Sequence, residues 1–174
     1  VVLPDKQATT VIAEPNSGSY FYYSGSGNDL ESTMLKPFHL PVGAYLTAWV
    51  NYEIELDWDY AYLRISTDGG YVWTGVGTNF SSYENPNGTN LYGCGITGNS
   101  GGWQELTADL SPWGDQDVLI SFLYKTDSAV AEKGFMVDDI TLTGYPLDDA
   151  ESEAGWTFDG FRLTTGTESG SYFN

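Results

Sequence analysis

Apolar and polar residues alternate most strictly in the segment LTAWVNYEIEL, residues 46–56. Alternate residues of an extended strand point to opposite faces of a sheet. One face of this segment is therefore apolar, with Leu46, Ala48, Val50, Tyr52, Ile54 and Leu56. The other face carries Trp49, Asn51, Glu53 and Glu55. The pattern predicts a strand with one buried face.

From residue 20 onward, short runs rich in aromatic and β-branched residues are separated by clusters of Gly, Asn, Asp and Pro. This spacing is typical of an antiparallel β-sandwich. We therefore predict an all-β fold, an antiparallel β-sandwich. The predicted strands are Tyr20–Ser24, Thr33–Leu40, Tyr45–Leu56, Tyr60–Ser66, Val72–Thr78, Trp103–Leu106, Asp117–Lys125, Gly134–Thr143 and Trp156–Leu163.

The length of 174 residues fits one domain with flanking segments. Residues 1–19 lack a sustained period and contain two prolines, which predicts an arm or linker along a sheet edge. Residues 20–145 form the predicted sandwich. Residues 146–174 form a C-terminal extension, whose strands pack on the sandwich or begin a further segment. The Asn79–Gly102 stretch is predicted to be a long loop with either a binding or a decorative role.

The charge balance excludes some partners. Six basic residues against 24 acidic ones give a net charge of -18, which repels nucleic acid and anionic membranes. No apolar run approaches the roughly 20 residues of a membrane span. The same acidic excess suits cation binding and solubility outside the cell, and both explanations can hold together.

Few residues could support hydrolytic chemistry. The single histidine, His39, cannot build a two-histidine zinc site, and the single cysteine, Cys94, has no basic neighbour that would activate its thiol. Pairs of carboxylates could serve a glycosidase, but so acidic a chain contains many accidental pairs. We therefore predict that the chain is not an enzyme.

The segment from Ser66 to Trp73 fits the S-x-D-x-G-x-x-W pattern of an Asp-box. In such a hairpin Asp68 accepts N–H bonds of the turn, the glycines adopt positive φ, and Trp73 packs back on the hairpin. The pattern indicates a structural turn rather than a catalytic site.

Three acidic stretches could bind calcium: Gly27–Asp29, Glu53–Asp59 and Asp138–Asp139. The alternative is that they are solvated turn residues. The last pair is flanked by apolar residues, so one aspartate should point inward, where an unpaired carboxylate is costly. Either a cation or a hydrogen-bond network removes that cost, and the network would use Lys125, Lys133 or Arg64.

Several blocks in one order carry a family resemblance: YYSGSGNDLESTMLKPFHLP, YEIELDWDYAYLRISTDGGYVW, GWQELTADLS, ISFLYKTDSAVAEKGFMVDDITL and DDAESEAGWTFDGFRLTTG. From Tyr20 onward the chain resembles the non-catalytic region of immune-inhibitor-A-type bacterial metallopeptidases, a sandwich similar to MAM and jelly-roll carbohydrate-binding folds. The resemblance implies a secreted protein whose zinc peptidase domain lies upstream in the same polypeptide. This domain would then help to fold the peptidase or position its substrate.

The resemblance also implies a structural Ca²⁺ and no zinc in this chain. The implied ligands are Asp29, Glu55, Asp57 and one of Asp138 and Asp139, with Asn28 and Glu53 as weaker candidates.

Two other functions remain open. A carbohydrate-binding module would stack sugars on exposed rings, for which Trp49, Trp58 and Tyr62 are the main candidates and Tyr60, Tyr83, Tyr92 and Trp113 further ones. An extracellular adhesion or interaction module would use the Asn79–Gly102 loop.

Overall fold

The computed structural model describes the backbone of residues 6–172 and the side chains of residues 10–168. Thirteen strands follow one another within residues 6–172. They are β1 Lys6–Val11, β2 Phe21–Tyr23, β3 Glu31–Leu40, β4 Tyr45–Ile54, β5 Tyr60–Ser66, β6 Thr74–Val76, β7 Gly98–Asn99, β8 Gln104–Asp109, β9 Gln116–Lys125, β10 Gly134–Leu142, β11 Thr157–Asp159, β12 Arg162–Thr164 and β13 Thr167–Tyr172. A short 3₁₀ helix spans Ser111–Trp113, and no helix among residues 6–172 is long and apolar enough to cross a membrane.

The strands form two principal antiparallel sheets. One has six strands in the order β12-β2-β10-β4-β7, with β8 also paired to β4. The other has five strands in the order β11-β3-β9-β5-β6. β1 and β13 form a separate two-stranded sheet. The prediction of an all-β antiparallel sandwich is confirmed.

The core lies between the two principal sheets and follows the alternation read from the sequence. In β4 every second side chain from Leu46 to Ile54 is at most 5% exposed. They pack with buried residues of the facing sheet such as Met34, Leu63 and Phe122. Leu56 was predicted on the same face but is 63% exposed, because β4 ends at Ile54 and the chain turns there.

The C-terminal extension contributes a strand to each principal sheet. β11 pairs with β3, and β12 pairs with β2. The predicted single strand Trp156–Leu163 is divided into β11 and β12, because Gly160 between these strands takes a φ of 98°. Trp156 and Phe161 are buried in the core. The division at residues 19 and 145 stays a prediction, and residues 1–5 and 173–174 lie outside the described part.

The Asn79–Gly102 segment folds over the outer face of the five-stranded sheet. Ala61 of β5 exchanges two main-chain hydrogen bonds with Ile96. The buried side chain of Asn90 links parts of the segment by donating to two carbonyls and accepting the N–H of Gly95. These contacts bury Tyr60 and Tyr62 beneath the segment.

Candidate metal centre

Three acidic side chains meet where strands of both sheets end. Glu55 follows β4, Asp59 precedes β5, and Asp127 comes shortly after β9. In the β5–β9 pair Tyr60 lies opposite Lys125, so the residues just outside this pair become neighbours. One carboxylate oxygen of each acid lies within 4.8 Å of the other two. We call this group the Glu55–Asp59–Asp127 cluster.

The turn after β4 fixes Glu55 and Asp59 relative to each other. The carbonyl of Glu55 accepts the N–H groups of Trp58 and Asp59 at 3.3 and 3.1 Å. Asp57 has a φ of 64°, a left-handed conformation that aspartate tolerates better than most residues. Its N–H donates to the hydroxyl of Thr97, and that hydroxyl donates to the carbonyl of Glu55. Main-chain hydrogen bonds within the turn and the hydroxyl of Thr97 therefore fix its conformation.

Asp127 is positioned by main-chain contacts. Its N–H donates to Oδ1 of Asp59 at 2.8 Å, and its carbonyl accepts the N–H of Asp29 at 2.7 Å. The hydroxyl of the preceding Thr126 accepts the N–H of Leu30 at 2.8 Å. The loop before β3 thus contacts the cluster through its backbone.

Two oxygens of the cluster, Oε2 of Glu55 and Oδ2 of Asp59, are buried and have no hydrogen-bond partner. Asp59 has no exposed surface. Burial raises the pKa of Asp59 to about 6, helped by the charges of Asp127 and Glu55 and opposed by the N–H bond from Asp127. Burial, followed by the charges of Asp127 and Glu132, also raises the pKa of Glu55. No described lysine or arginine forms an ion pair with the cluster.

This donor set suits a hard cation. It consists of oxygen atoms alone, the ligands preferred by Ca²⁺, Mg²⁺ and Mn²⁺. A buried carboxylate without a partner is unfavourable, and a bound cation removes both the missing contact and the mutual repulsion. The cluster could therefore bind a metal ion.

Of the ligands predicted from the sequence, Glu55 is the one whose carboxylate belongs to the cluster. Asp29 and Asp57 adjoin it through their main-chain N–H bonds. Asn28 is exposed, and Glu53 lies on β4 with a lysine Nζ 3.9 Å from its carboxylate. The metal role of these four residues stays a prediction.

Asp138 and Asp139 lie elsewhere on the six-stranded sheet. Asp138 is paired with Trp49 on β4, whereas Glu55 follows the end of that strand. At about 3.4 Å per residue, the stretch from Trp49 to Glu55 spans roughly 20 Å. The structure therefore does not bring this pair together with the Glu55–Asp59–Asp127 cluster.

The N-terminal segment satisfies the carboxylates of Asp138 and Asp139. Oδ2 of Asp138 accepts the N–H groups of Asn16 and Ser17 at 3.0 and 3.1 Å, and Oδ1 accepts the N–H of Asp139 at 2.8 Å. The side chains of Asn16 and Ser17 donate to Asp139. A register shift after Asp138 and a φ of 48° at Asp139 mark a β-bulge here.

Hydrogen bonding therefore explains why Asp138 can be completely buried. Two of the three donors come from the segment before β2, the third is the N–H of Asp139, and none is the predicted Lys125, Lys133 or Arg64. Burial raises the pKa of Asp138 to about 7, with the charge of Asp139 adding to the effect and the N–H donors opposing it.

The histidine and the cysteine have ordinary environments. His39 is exposed, with Nδ1 2.8 Å from Asp117 and Nε2 3.3 Å from Asp115. The hydrogen bond to Asp117 raises the pKa of His39. Cys94 is buried, and burial raises the pKa of its thiol, which disfavours the nucleophilic thiolate.

The segment that fits the Asp-box pattern forms the turn between β5 and β6. Oδ1 of Asp68 accepts the N–H groups of Tyr71 and Val72 and the hydroxyl of Ser66. The bond from Val72 makes the largest contribution to lowering the pKa of Asp68. Asp68 thus makes the turn hydrogen bonds that its position predicts.

The aromatic candidates for sugar stacking differ in exposure. Tyr60 and Tyr62 are each 1% exposed, which leaves no free ring face. Trp58 is 44% exposed in the turn that carries the cluster. Trp49, Tyr92 and Trp113 are half-buried, and Tyr83 is exposed.

Residues 1–166 match the sequence profile of a family described as immune inhibitor A-like, MAM domain. The chain belongs to this family. The family predicted from the sequence blocks is thereby confirmed.

Two relatives extend this result. Pre-pro-metalloprotease PrtV of Vibrio cholerae serotype O1 (strain M66-2) is 32% identical over 181 residues, which cover 99% of this chain and 18% of the relative. Immune inhibitor A of Bacillus thuringiensis subsp. alesti is 32% identical over 179 residues, covering 97% of this chain and 24% of the relative. The MAM domain therefore spans less than a quarter of each.

Proposed function

We propose that this MAM domain is a calcium-stabilised, non-catalytic accessory domain of a secreted zinc metallopeptidase. The observation that carries the calcium part is the Glu55–Asp59–Asp127 cluster, in which two buried oxygens have no hydrogen-bond partner. The peptidase part is supported by family membership and by the metalloprotease named among the relatives.

Calcium fits this position better than magnesium. Ca²⁺ accepts six to eight oxygens in irregular geometry, whereas Mg²⁺ requires a near-ideal octahedron. Three carboxylates and water provide such a shell, although Oδ1 of Asp59 already accepts the N–H of Asp127. Glu55 follows a strand of the six-stranded sheet, and the other two acids flank strands of the five-stranded sheet. A cation here links the two sheets.

The accessory role places the zinc peptidase in another part of the same polypeptide. This domain, covering 18% and 24% of the two relatives, then helps that peptidase to fold or holds its protein substrate. The buried, high-pKa thiol of Cys94 supports a non-catalytic role.

The test is thermal unfolding of the domain in EDTA and again with excess Ca²⁺. A ligand at a hundred times its dissociation constant adds about 2.7 kcal/mol, so the melting temperature should rise by roughly 5–10 °C. Asp127→Asn should abolish this rise, because it removes one carboxylate charge from the cluster.

Glu84→Gln is the matched control, because Glu84 is exposed and outside the cluster. It should keep the full calcium response. An equal rise with Mg²⁺ would contradict the choice of calcium. The absence of any shift would contradict a stabilising cation altogether.

A further inference from the structure

A second polar site lies on the outer face of the five-stranded sheet, in a groove of about 580 Å³. Its floor follows the strand register, in which Leu35, Ser121 and Arg64 lie side by side on β3, β9 and β5. The β5–β6 turn forms one wall through Trp73, and the segment after β6 forms another through Tyr92.

Arg64 is the central residue of this groove and is only 6% exposed. Its guanidinium carbon lies 4.4 Å from the ring centre of Trp73 and 5.6 Å from that of Tyr92. One terminal nitrogen donates to the hydroxyl of Tyr92 at 3.0 Å, and the other donates to Ser121 at 3.2 Å. Nε is buried and has no acceptor.

The charge of Arg64 is therefore incompletely compensated. A guanidinium has five N–H donors and stays protonated in proteins, so burial cannot neutralise it. Within the described side chains it has no carboxylate partner and donates to two neutral hydroxyls. The aromatic rings offset part of the cost of burial but accept no strong hydrogen bond.

Arg162 shows what Arg64 lacks. Its guanidinium also stacks on a ring, 4.9 Å from the centre of Tyr23. Unlike Arg64, it donates from two nitrogens to the two carboxylate oxygens of Glu168, at 2.7 and 2.6 Å. The same kind of stacked arginine thus has a bidentate carboxylate at one position and none at the other.

We propose that the Arg64 groove binds a peptide through the carboxylate of an acidic side chain. A carboxylate matches the guanidinium in charge and geometry, and the pairing is stronger than the present bonds to hydroxyls. Because Nε of Arg64 is buried, the carboxylate approaches the terminal nitrogens from the groove and replaces a present hydroxyl partner such as Tyr92. Arg64 lies five residues along the chain from Asp59 of the cluster, roughly 17 Å at about 3.4 Å per residue.

The rest of the groove favours a peptide over an acidic glycan. Glu31 and Asp159 are exposed residues of its lining, and they repel a chain of repeated uronic acids but attract a basic residue. Leu35 and Leu119 offer apolar contact to aliphatic side chains. The ring of Trp73, on which a sugar could stack, already carries the guanidinium.

The test measures binding of the peptide acetyl-Lys-Ala-Glu-Ala-Lys-amide by calorimetry and by tryptophan fluorescence. The matched peptide has glutamine in place of the glutamate. We expect the glutamate peptide to bind at least about tenfold more tightly, because charged hydrogen bonds exceed neutral ones by that order. Equal affinities, or no binding of either peptide, would overturn the proposal.

Variants locate the site. Arg64→Lys should weaken binding of the glutamate peptide about tenfold, because lysine cannot form the bidentate contact. Lys133→Gln, which removes a cation outside the groove, should leave binding unchanged. If Arg64→Lys does not fold, the comparison of the two peptides on the unaltered domain still decides the matter.

Two further measurements test the class of ligand and the independence of the groove from the cluster. Tighter binding of oligogalacturonate than of the glutamate peptide would replace the peptide by an acidic glycan and overturn the proposal. Peptide binding should be the same in EDTA and in excess calcium. The peptide proposal can therefore be tested independently of the calcium proposal. Loss of peptide binding in EDTA would contradict a site that is separate from the cluster.

Discussion

Two acidic groups of this domain look alike in sequence and differ in their surroundings. Asp138 is completely buried, yet both of its carboxylate oxygens accept main-chain N–H bonds. Asp59 is equally buried, but one of its oxygens has no partner and two further carboxylates lie beside it. The first group holds the N-terminal segment to the sheet. The second has the character of a cation site.

The difference shows that burial of a carboxylate does not by itself indicate a metal. What matters is which donors surround the oxygens. N–H and hydroxyl donors satisfy an acid without help, as Asn16 and Ser17 do for Asp138 and Asp139. Carboxylates that face one another need a proton or a cation, since each of them is an acceptor.

The largest effect is expected for Asp138→Ala. It leaves the N–H groups of Asn16, Ser17 and Asp139 without their acceptor, at a cost of about 3 kcal/mol in unfolding free energy. Urea unfolding measures this loss, with Glu84→Ala as the exposed control. The loss should be equal in EDTA and in calcium. A loss found only with calcium would instead support the metal role that the sequence predicts for Asp138.

For Asp59→Asn, calcium is expected to reverse the order of the melting temperatures of the variant and the unaltered domain. In EDTA this variant should melt above the unaltered domain, because the amide removes one of three close charges while its oxygen still accepts the N–H of Asp127. With excess Ca²⁺ the order should invert, since only the unaltered domain gains about 2.7 kcal/mol. Melting temperatures of both proteins under both conditions provide the measurement. The same order in both would refute a cation at this site.

The sequence predicts the fold better than it predicts the site. The alternation from Leu46 to Ile54 and the apolar runs near β5, β9 and β10 determine which residues are buried, and these strands appear close to their predicted bounds. Local sequence patterns predict where strands lie but not which strands pair with each other. Asp59 and Asp127 become neighbours because β5 pairs with β9, although 68 positions separate them.

The same reason explains the short strands that were missed. β7 has two residues, and β1 is recognisable as a strand through its distant partner β13. The partners of Asp138 are also remote, since Asn16 is 122 positions away in the chain. The sequence indicates that one of the two aspartates is buried. Only the folded chain shows that Asp138 lies on the same sheet face as Trp49 and is covered there by the N-terminal segment.

The smallest effect is expected in the pH dependence of Asp138. Its folded pKa is raised from 3.8 to about 7, so the native state holds the proton more tightly than the unfolded chain. The stability that comes from this proton is fully present below about pH 4 and is lost as the pH rises through about 7. Asp138→Asn has no such titration. The difference in unfolding free energy between the two proteins should therefore narrow by about 1 kcal/mol from pH 5 to pH 8. Unfolding in excess calcium, which holds the cluster in one state, measures this difference. If the difference in unfolding free energy instead widened with pH, the N–H donors would outweigh burial, and Asp138 would be held as a carboxylate.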